Sequence, residues 1–241
     1  GMGNDEMRVI AAVARKGGSG KSTLVKALAS AALAGGKTAL LVDTDPQGDL
    51  TQWFDRAKRK GMVPEGAALT RASHPKELEA VITKTYDEGT ADFLLIDTAG
   101  TAGPWADEIA IMSDVLVTPV VATYTDFTVG TQTMKWFRGL RDRVESPDDL
   151  PPHRVVISNF PAKPTRVEQE LLVSAKENFP VINNIVQHRN AYIVMDAQGF
   201  LGELLKSYQS KANALERSQA RRFQEAILEA TDVLNDILGR G

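Results

Sequence analysis

The first residues with chemical potential form a run of glycine, lysine and hydroxyl side chains near the start of the chain. Residues 15–23 read RKGGSGKST. An apolar stretch at residues 8–14 predicts a strand before them, and a helical pattern begins at Lys21. Glycines between a strand and a helix let backbone N–H groups approach phosphate oxygens, and the helix N-terminus adds a positive dipole. The run therefore predicts a phosphate-binding loop.

Each residue type in this loop has its own expected task. The residues expected to bind a nucleotide are Gly17, Gly18, Ser19, Gly20, Lys21, Ser22 and Thr23. Lys21 would reach the β and γ phosphates, and the Ser22 hydroxyl would coordinate Mg²⁺. The general P-loop sequence pattern has a glycine where this chain has Arg15, so the chain does not match that pattern. It keeps the glycine-rich loop, the lysine and the hydroxyl residue that bind phosphate and Mg²⁺. ATP and Mg²⁺ are the predicted cofactors.

Two carboxylate motifs follow at the ends of predicted strands. Residues 40–48 read LLVDTDPQG and contain Asp43 and Asp45, whereas residues 93–100 read FLLIDTAG and contain Asp97. Carboxyl ends of strands face the ligand crevice of open α/β sheets. A carboxylate there suits Mg²⁺, usually through a water molecule, so Asp97 is a predicted Mg²⁺ ligand. Read alone, the first motif also fits an ordinary Asp-rich turn.

The three motifs together resemble those of the ParA/MinD family of partitioning ATPases, with Ser19 where most members have valine or a small residue. The resemblance implies a homodimer that encloses the nucleotides, in which Lys16 crosses to the phosphates of the partner subunit. It further implies that Asp45 orients the attacking water and that Asp43 supports the Mg²⁺ shell. Lys16, Lys21 and Asp45 are thus the expected catalytic residues. Without an intersubunit role, Lys16 would be an ordinary solvated loop lysine.

The resemblance continues in weaker form over residues 7–202. Asn159 follows a predicted strand at the position where many relatives place an asparagine that reads the adenine amino group. An asparagine after a strand is also a common turn former. Residues 187–192, with Gly199, resemble a segment near the purine in this family.

The hydrophobic pattern predicts the elements that position these motifs. Apolar runs alternate with helical periods, which is typical of a doubly wound α/β fold with a mostly parallel sheet, here the P-loop NTPase fold. Further strands are expected at residues 38–43, 93–97, 115–119 and 154–158, with weaker ones at 67–71 and 181–182. Helices are expected from Lys21 to Gly35, and at 76–88 and 125–144. We interpret residues 1–241 as a single ATPase domain, with 1–6 disordered or tag-derived and a helical region at 203–241.

Composition excludes several classes of protein. The chain has no cysteine, which rules out disulfides, thiolate metal sites and the iron–sulfur relatives of this family. Its net charge of −3 argues against a globally basic nucleic-acid binder, and the cytoplasm is the expected compartment. His74, His153 and His188 show no metal-ligand spacing and are expected at the surface.

The C-terminal region bears on membrane binding. An apolar stripe runs along residues 223–238, and the same segment has four acidic residues and no basic one. Anionic lipids would repel it, so we expect a core-packed helix and no membrane partner.

A more basic segment precedes it. Residues 204–222 contain five basic residues against one acidic residue. By resemblance, nonspecific DNA binding through phosphate contacts is expected here, as is a nucleoid-associated location. The expected DNA-binding residues are Arg189, Arg217, Arg221 and Arg222. A solvated helix face is the alternative.

The resemblance implies slow hydrolysis of ATP to ADP and phosphate, stimulated by a ParB-like partner, that drives plasmid or chromosome segregation. Three alternatives stay open: a MinD-like membrane-positioning ATPase, a VirC-like accessory ATPase of DNA transfer, and an ATP-dependent metabolic ligase. The stretch LTQW at residues 50–53 contributes to the VirC-like resemblance.

Overall fold

The computed structural model describes residues 7–14, 20–100 and 104–240. Six described strands form one parallel sheet in the order β3-β2-β4-β1-β5-β6. The strands are β1 Arg8–Ala12, β2 Ala39–Asp43, β3 Ala67–Arg71, β4 Phe93–Asp97, β5 Val115–Val121 and β6 His153–Ser158. Because all the pairs are parallel, every strand ends at the same edge. The predicted doubly wound α/β fold is confirmed.

Helices cover both faces of the sheet. They are α1 Lys21–Ala34, α2 Asp49–Arg59, α3 Pro75–Glu88, α4 Pro104–Met112, α5 Tyr124–Arg143, α6 Arg166–Asn178, α7 Asn190–Gln198, α8 Leu201–Gln209, α9 Ala214–Ser218 and α10 Ala220–Ile237, with a 3₁₀ turn at Pro147–Asp149. Helices α1, α2, α7, α8 and α10 share one apolar core, α3, α4 and α5 share a second, and α5 and α6 form a third with β5 and β6. On β1, Ile10 faces the first core and Val9 the second. Burial on both faces explains the continuous apolar runs of the strands.

Several expected elements differ from the structure. The proposed strand at residues 181–182 is only a single bridge between Val181 and Val155. Helices α2, α4, α6 and α7 were not predicted, although α6 begins with a capping box formed by Thr165 and Glu168. The helical region from residue 203 onward is three helices, because α8 ends at Gln209 and Asn213 caps α9.

The C-terminal helix packs into the core, as predicted. The five residues of its apolar stripe are all at most 9% exposed: Phe223, Ile227, Ala230, Leu234 and Leu238. Helix α10 lies against α1 and α8. Among the described helices, none combines the length and the apolar character needed to cross a bilayer.

One histidine lies in a different environment from the one expected. His153 is buried, with Nε2 2.7 Å from the Thr118 hydroxyl oxygen and its ring against Phe137. Burial lowers the pKa of His153 to about 4, because the charged imidazolium would lose its hydration. The prediction of a surface histidine was wrong here, whereas His74 and His188 are exposed.

Candidate nucleotide site

The strand register brings the two acidic motifs to the same edge of the sheet as the end of β1. Asp97 is the register partner of Ala12 on β1 and of Asp43 on β2. The end of β1, from which the phosphate-binding loop follows, therefore lies next to Asp97, with Asp43 one strand further along the sheet. The loop residues Arg15, Lys16, Gly17, Gly18 and Ser19 lie outside the described residues, so the roles expected of them stay predictions.

The first turn of α1 continues this loop. Gly20 precedes the helix with φ of 87°, a left-handed conformation that glycine adopts without a steric cost, and its carbonyl accepts from the Leu24 N–H. Lys21 is 5% exposed, and Ser22 and Thr23 are half-buried. The first N–H groups of a helix have no intrahelical partner and are suited to bind an anion.

Asp97 is a buried carboxylate with an unused oxygen. It is 4% exposed, and Oδ1 has no hydrogen-bond partner in the part of the chain that is described. Burial raises the pKa of Asp97 to about 7, while the charge of Lys21 opposes the rise and those of Asp43 and Asp45 add to it. A buried oxygen without a partner calls for a missing cation or donor. Mg²⁺ fits this position, with Ser22 as a second oxygen ligand.

Asp43 has a different environment. It is fully buried, and its Oδ1 accepts from the backbone N–H of Asp45 at 3.0 Å. Its Oδ2 accepts from the backbone N–H of Thr51 at 3.0 Å and from the Thr51 hydroxyl at 2.6 Å. Both oxygens are thus engaged within the protein. This geometry favours a role in holding the Asp45 loop and the start of α2 over direct metal ligation.

The loop that carries Asp45 is clamped from the edge of the sheet. Arg71, at the end of β3, donates from Nη2 to the carbonyl oxygens of Asp45 at 3.0 Å and Pro46 at 3.3 Å. Gly48 has φ of 70°, and a Cβ there would lie 3.1 Å from Arg71 Nη1. Arg71 was not among the site residues predicted from the sequence. The one available signal was its place at the end of the weaker predicted strand, where it is the register partner of Asp43.

A cavity of about 440 Å³ opens beside the first turns of α1. Its lining residues are Gly20, Thr23, Leu24, Ala27, Val121, Ser158, Asn159, Val186, His188, Arg189, Tyr192, Ile193 and Asp196. Asn159 has φ of 52°, and its Oδ1 lies 2.7 Å from His188 Nδ1. The volume is in the range of small-ligand sites. The structure thus places Asn159 and the segment expected near the purine in one cavity with α1.

The residues expected to contact DNA do not form one group. Arg217, Arg221 and Arg222 are exposed on α9 and α10. Arg189 instead lines the cavity and forms an ion pair of 2.9 Å with Glu229. Its hydrogen bond to Glu229 is the main cause that raises the pKa of Arg189. Because Glu229 neutralises the charge of Arg189 within the protein, this geometry disfavours a contact between Arg189 and a DNA phosphate.

Comparison with known proteins decides the family. The family model described as VirC1 protein matches residues 7–240. The chain belongs to the VirC1 family. This VirC1-family chain is 26% identical over 195 residues to protein virC1 of Rhizobium radiobacter, which covers 81% of the chain and 83% of that protein. It is also 26% identical over 217 residues to protein ParA of the same organism, covering 89% and 94%.

The fold has close counterparts among solved structures. The ATP complex of a substituted McdA from Cyanothece matches this VirC1-family chain with a TM-score of 0.68 at 14% identity, over 98% of each chain. This structural similarity is evidence of the fold. Together, the family match, the ParA relative and the fold show that the VirC1-family chain is a P-loop ATPase of the ParA/MinD type, which confirms the prediction from the motifs.

Proposed function

We propose that this chain is an ATP-driven switch that dimerises around Mg-ATP and binds DNA nonspecifically in that state. Hydrolysis to ADP and phosphate then causes the dimer to dissociate, and the protein releases the DNA. The observation that carries the proposal is the buried Asp97 carboxylate, with one oxygen unpartnered among the described residues, next to Lys21 at the start of α1. A carboxylate and an ammonium at the end of a parallel strand are the groups that an Mg-nucleotide requires.

The residues of the site divide the work of hydrolysis. Lys21 would balance the charge of the terminal phosphates, and Ser22 and Asp97 would hold Mg²⁺, which would supply further positive charge to those phosphates. Asp45 orients a water for in-line attack on the γ phosphate. Asp43 and Thr51 hold the loop that carries Asp45. Lys16 is proposed to act across the dimer.

The DNA surface is proposed on α9 and the start of α10. Arg217, Arg221 and Arg222 are exposed there, and phosphate contacts need exposed cations more than a particular shape. A ParB-like partner would stimulate hydrolysis, and the protein would associate with the nucleoid in the cytoplasm. A MinD-like membrane role is disfavoured, because the apolar stripe of α10 is buried against the core.

A second role is favoured by one specific observation. The VirC1 family model matches residues 7–240, so the resemblance to VirC-type ATPases extends over the catalytic motifs and the C-terminal helices. We propose, as an alternative to a role in plasmid or chromosome segregation, that the same switch serves as an accessory in plasmid DNA transfer. The chemistry of the site is the same in both roles.

Sizing by light scattering, with ATP or ADP and with or without duplex DNA of random sequence, tests the proposal. We expect a dimer that retains DNA in ATP and a monomer in ADP. Asp45→Ala should remain an ATP-bound dimer because the attacking water is no longer oriented, and Lys21→Ala should not bind ATP. A monomeric Asp45→Ala in ATP contradicts the switch, and unchanged ATP affinity of Lys21→Ala contradicts the site itself.

A further inference from the structure

One acidic side chain stands in the wall of the cavity beside α1. Asp196, on α7, accepts a hydrogen bond at Oδ1 from Nζ of Lys26, 2.5 Å away in the middle of α1. The Lys26 side chain is only 5% exposed, with Nζ 5.4 Å from the centre of the Trp53 ring. A buried ammonium needs a paired anion. Lys26 therefore ties the Asp196 carboxylate to one position in the wall.

The backbone that carries Asp196 is fixed as well. Arg56 on α2 donates to the carbonyl oxygens of Asp196 at 2.8 Å and Ala197 at 3.2 Å. Trp53, on the same helix, donates from Nε1 to the Met195 carbonyl at 2.8 Å. The last turn of α7 is thus bound to α2 by two side chains. A carboxylate held through both its backbone and its side chain is preorganised for a ligand.

The second oxygen of Asp196 remains available. The side chain is 56% exposed, and no hydrogen bond to Oδ2 occurs within the described ranges. The cavity meets the phosphate-binding region at Gly20 and Thr23, and its other polar lining includes Asn159, paired with His188, and Arg189, paired with Glu229. A carboxylate repels phosphate but accepts hydrogen bonds from hydroxyl groups. In dinucleotide-binding folds an acidic residue binds the ribose hydroxyls in this way.

We propose that Asp196 accepts hydrogen bonds from the ribose hydroxyls of the bound nucleotide, with Lys26 as its positioning residue. The site then selects ribonucleotides over deoxyribonucleotides. This inference rests on the proposed function, since it requires the nucleoside to occupy the cavity.

Binding of ADP, 2′-deoxyADP and 3′-deoxyADP to the full chain with Mg²⁺, measured by calorimetry, tests the inference without turnover. We expect at least one deoxy compound to bind the wild type about tenfold more weakly than ADP, because it lacks a hydrogen bond to a charged acceptor. In Asp196→Ala the three compounds should bind within about twofold of one another. Equal binding of all three to the wild type, or discrimination that persists in Asp196→Ala, would overturn the proposal.

Asp196→Ala leaves Lys26 buried without its partner and can reduce stability. The double variant Lys26→Met with Asp196→Asn removes both charges, and it should lose most of the discrimination because a neutral amide is the weaker acceptor. Asp55→Asn, an exposed acidic residue on α2 outside the cavity, should keep the wild-type ratio. The ratio within one variant is insensitive to a general loss of stability. If the wild type does not bind ADP or ATP at all, the proposed function fails, which is a different result from binding without discrimination.

Discussion

Arg71 Nη2 lies 3.0 Å from the carbonyl oxygen of Asp45, so the end of β3 holds the loop that carries the proposed water-orienting carboxylate. The same nitrogen donates to Pro46 at 3.3 Å, and Gly48 leaves room for the guanidinium. Asp43 fixes this loop from inside the protein through the Asp45 N–H. The Asp45 loop is therefore held on two sides, from the edge of the sheet and from its interior.

Removing the Arg71 clamp should slow turnover more than it weakens binding. In Arg71→Ala we expect kcat for ATP hydrolysis to fall about five- to tenfold, because a misplaced Asp45 loop loses transition-state geometry while the phosphate contacts stay. Steady-state kinetics and ADP affinity measure the two effects separately. Arg71→Lys, which keeps one donor, should be intermediate, and Arg59→Ala on the exposed end of α2 should be unaffected. A parallel loss of affinity and kcat would assign Arg71 to nucleotide binding instead.

Asp97→Asn should remove the Mg²⁺-dependent part of nucleotide binding. The measurement is the Tm with ADP, in Mg²⁺ or in a chelator. We expect the wild type to gain stability from Mg²⁺ with ADP and the variant to gain little, since Asp97 holds a buried oxygen that no described residue satisfies. A variant that keeps the full Mg²⁺ effect would place the ion elsewhere.

Without nucleotide, Asp97→Asn should stabilise the folded protein, whereas with Mg²⁺ and ADP it removes a stabilising contact. The pKa of Asp97 is raised from 3.8 to about 7 in the folded state, so the folded protein binds a proton more tightly than the unfolded chain. The contribution of Asp97 to the free energy of unfolding of the wild type therefore falls as the pH rises from about 4 to 7. At pH 8 we expect Asp97→Asn to be more stable than the wild type, on the order of 2 to 4 kcal/mol, in urea titrations. A less stable variant at pH 8 would contradict this reasoning.

The DNA surface proposed on α9 and the start of α10 predicts that reversing its charges weakens DNA binding. Charge reversal of Arg217, Arg221 and Arg222 should weaken retention on duplex DNA in ATP at low salt. The slope of log affinity against log salt should shrink by about 2 to 3, as expected for three lost phosphate contacts. Arg166→Glu on α6, which packs in a different apolar cluster from α10, is the matched control. Wild-type retention by the triple variant would move the DNA surface elsewhere.

His153 should make the protein sensitive to mild acid. Its pKa is lowered from 6.5 to about 4 in the folded state, so the unfolded chain binds more protons between these values. The free energy of unfolding contributed by neutral His153 is complete above pH 6.5 and is lost as the pH falls toward 4, by about 3 kcal/mol. We expect His153→Gln to lose less stability than the wild type between about pH 6.5 and 4.5 in urea titrations. Parallel pH profiles would show that the pKa of His153 is the same in the folded and unfolded states, against the expected lowering.

The sequence by itself determined the fold class and the order of the nucleotide motifs. Continuous apolar runs predicted strands covered on both faces, and β4 lies at residues 93–97, where its apolar run ends in Asp97. The apolar stripe of residues 223–238 correctly predicted a core-packed helix, because its spacing is a local property of the chain. Helices α2, α4, α6 and α7 were not predicted, although the buried residues Leu50, Trp53, Phe54 and Ala57 of α2 already show helical spacing in the sequence.

Only the tertiary structure decided how distant residues combine. Arg71 and Asp45, Asn159 and His188, and Lys26 and Asp196 are separated by 26, 29 and 170 residues, and each pair meets through strand order or helix packing. Asp43 and Thr51 follow one another closely, but only the turn into α2 aligns both donors of Thr51 with one carboxylate oxygen. Likewise, burial and not residue type gives Asp97 and His153 their shifted pKa values. Residue types and spacing predict which chemistry is available, whereas contacts between distant segments decide which side chains perform it.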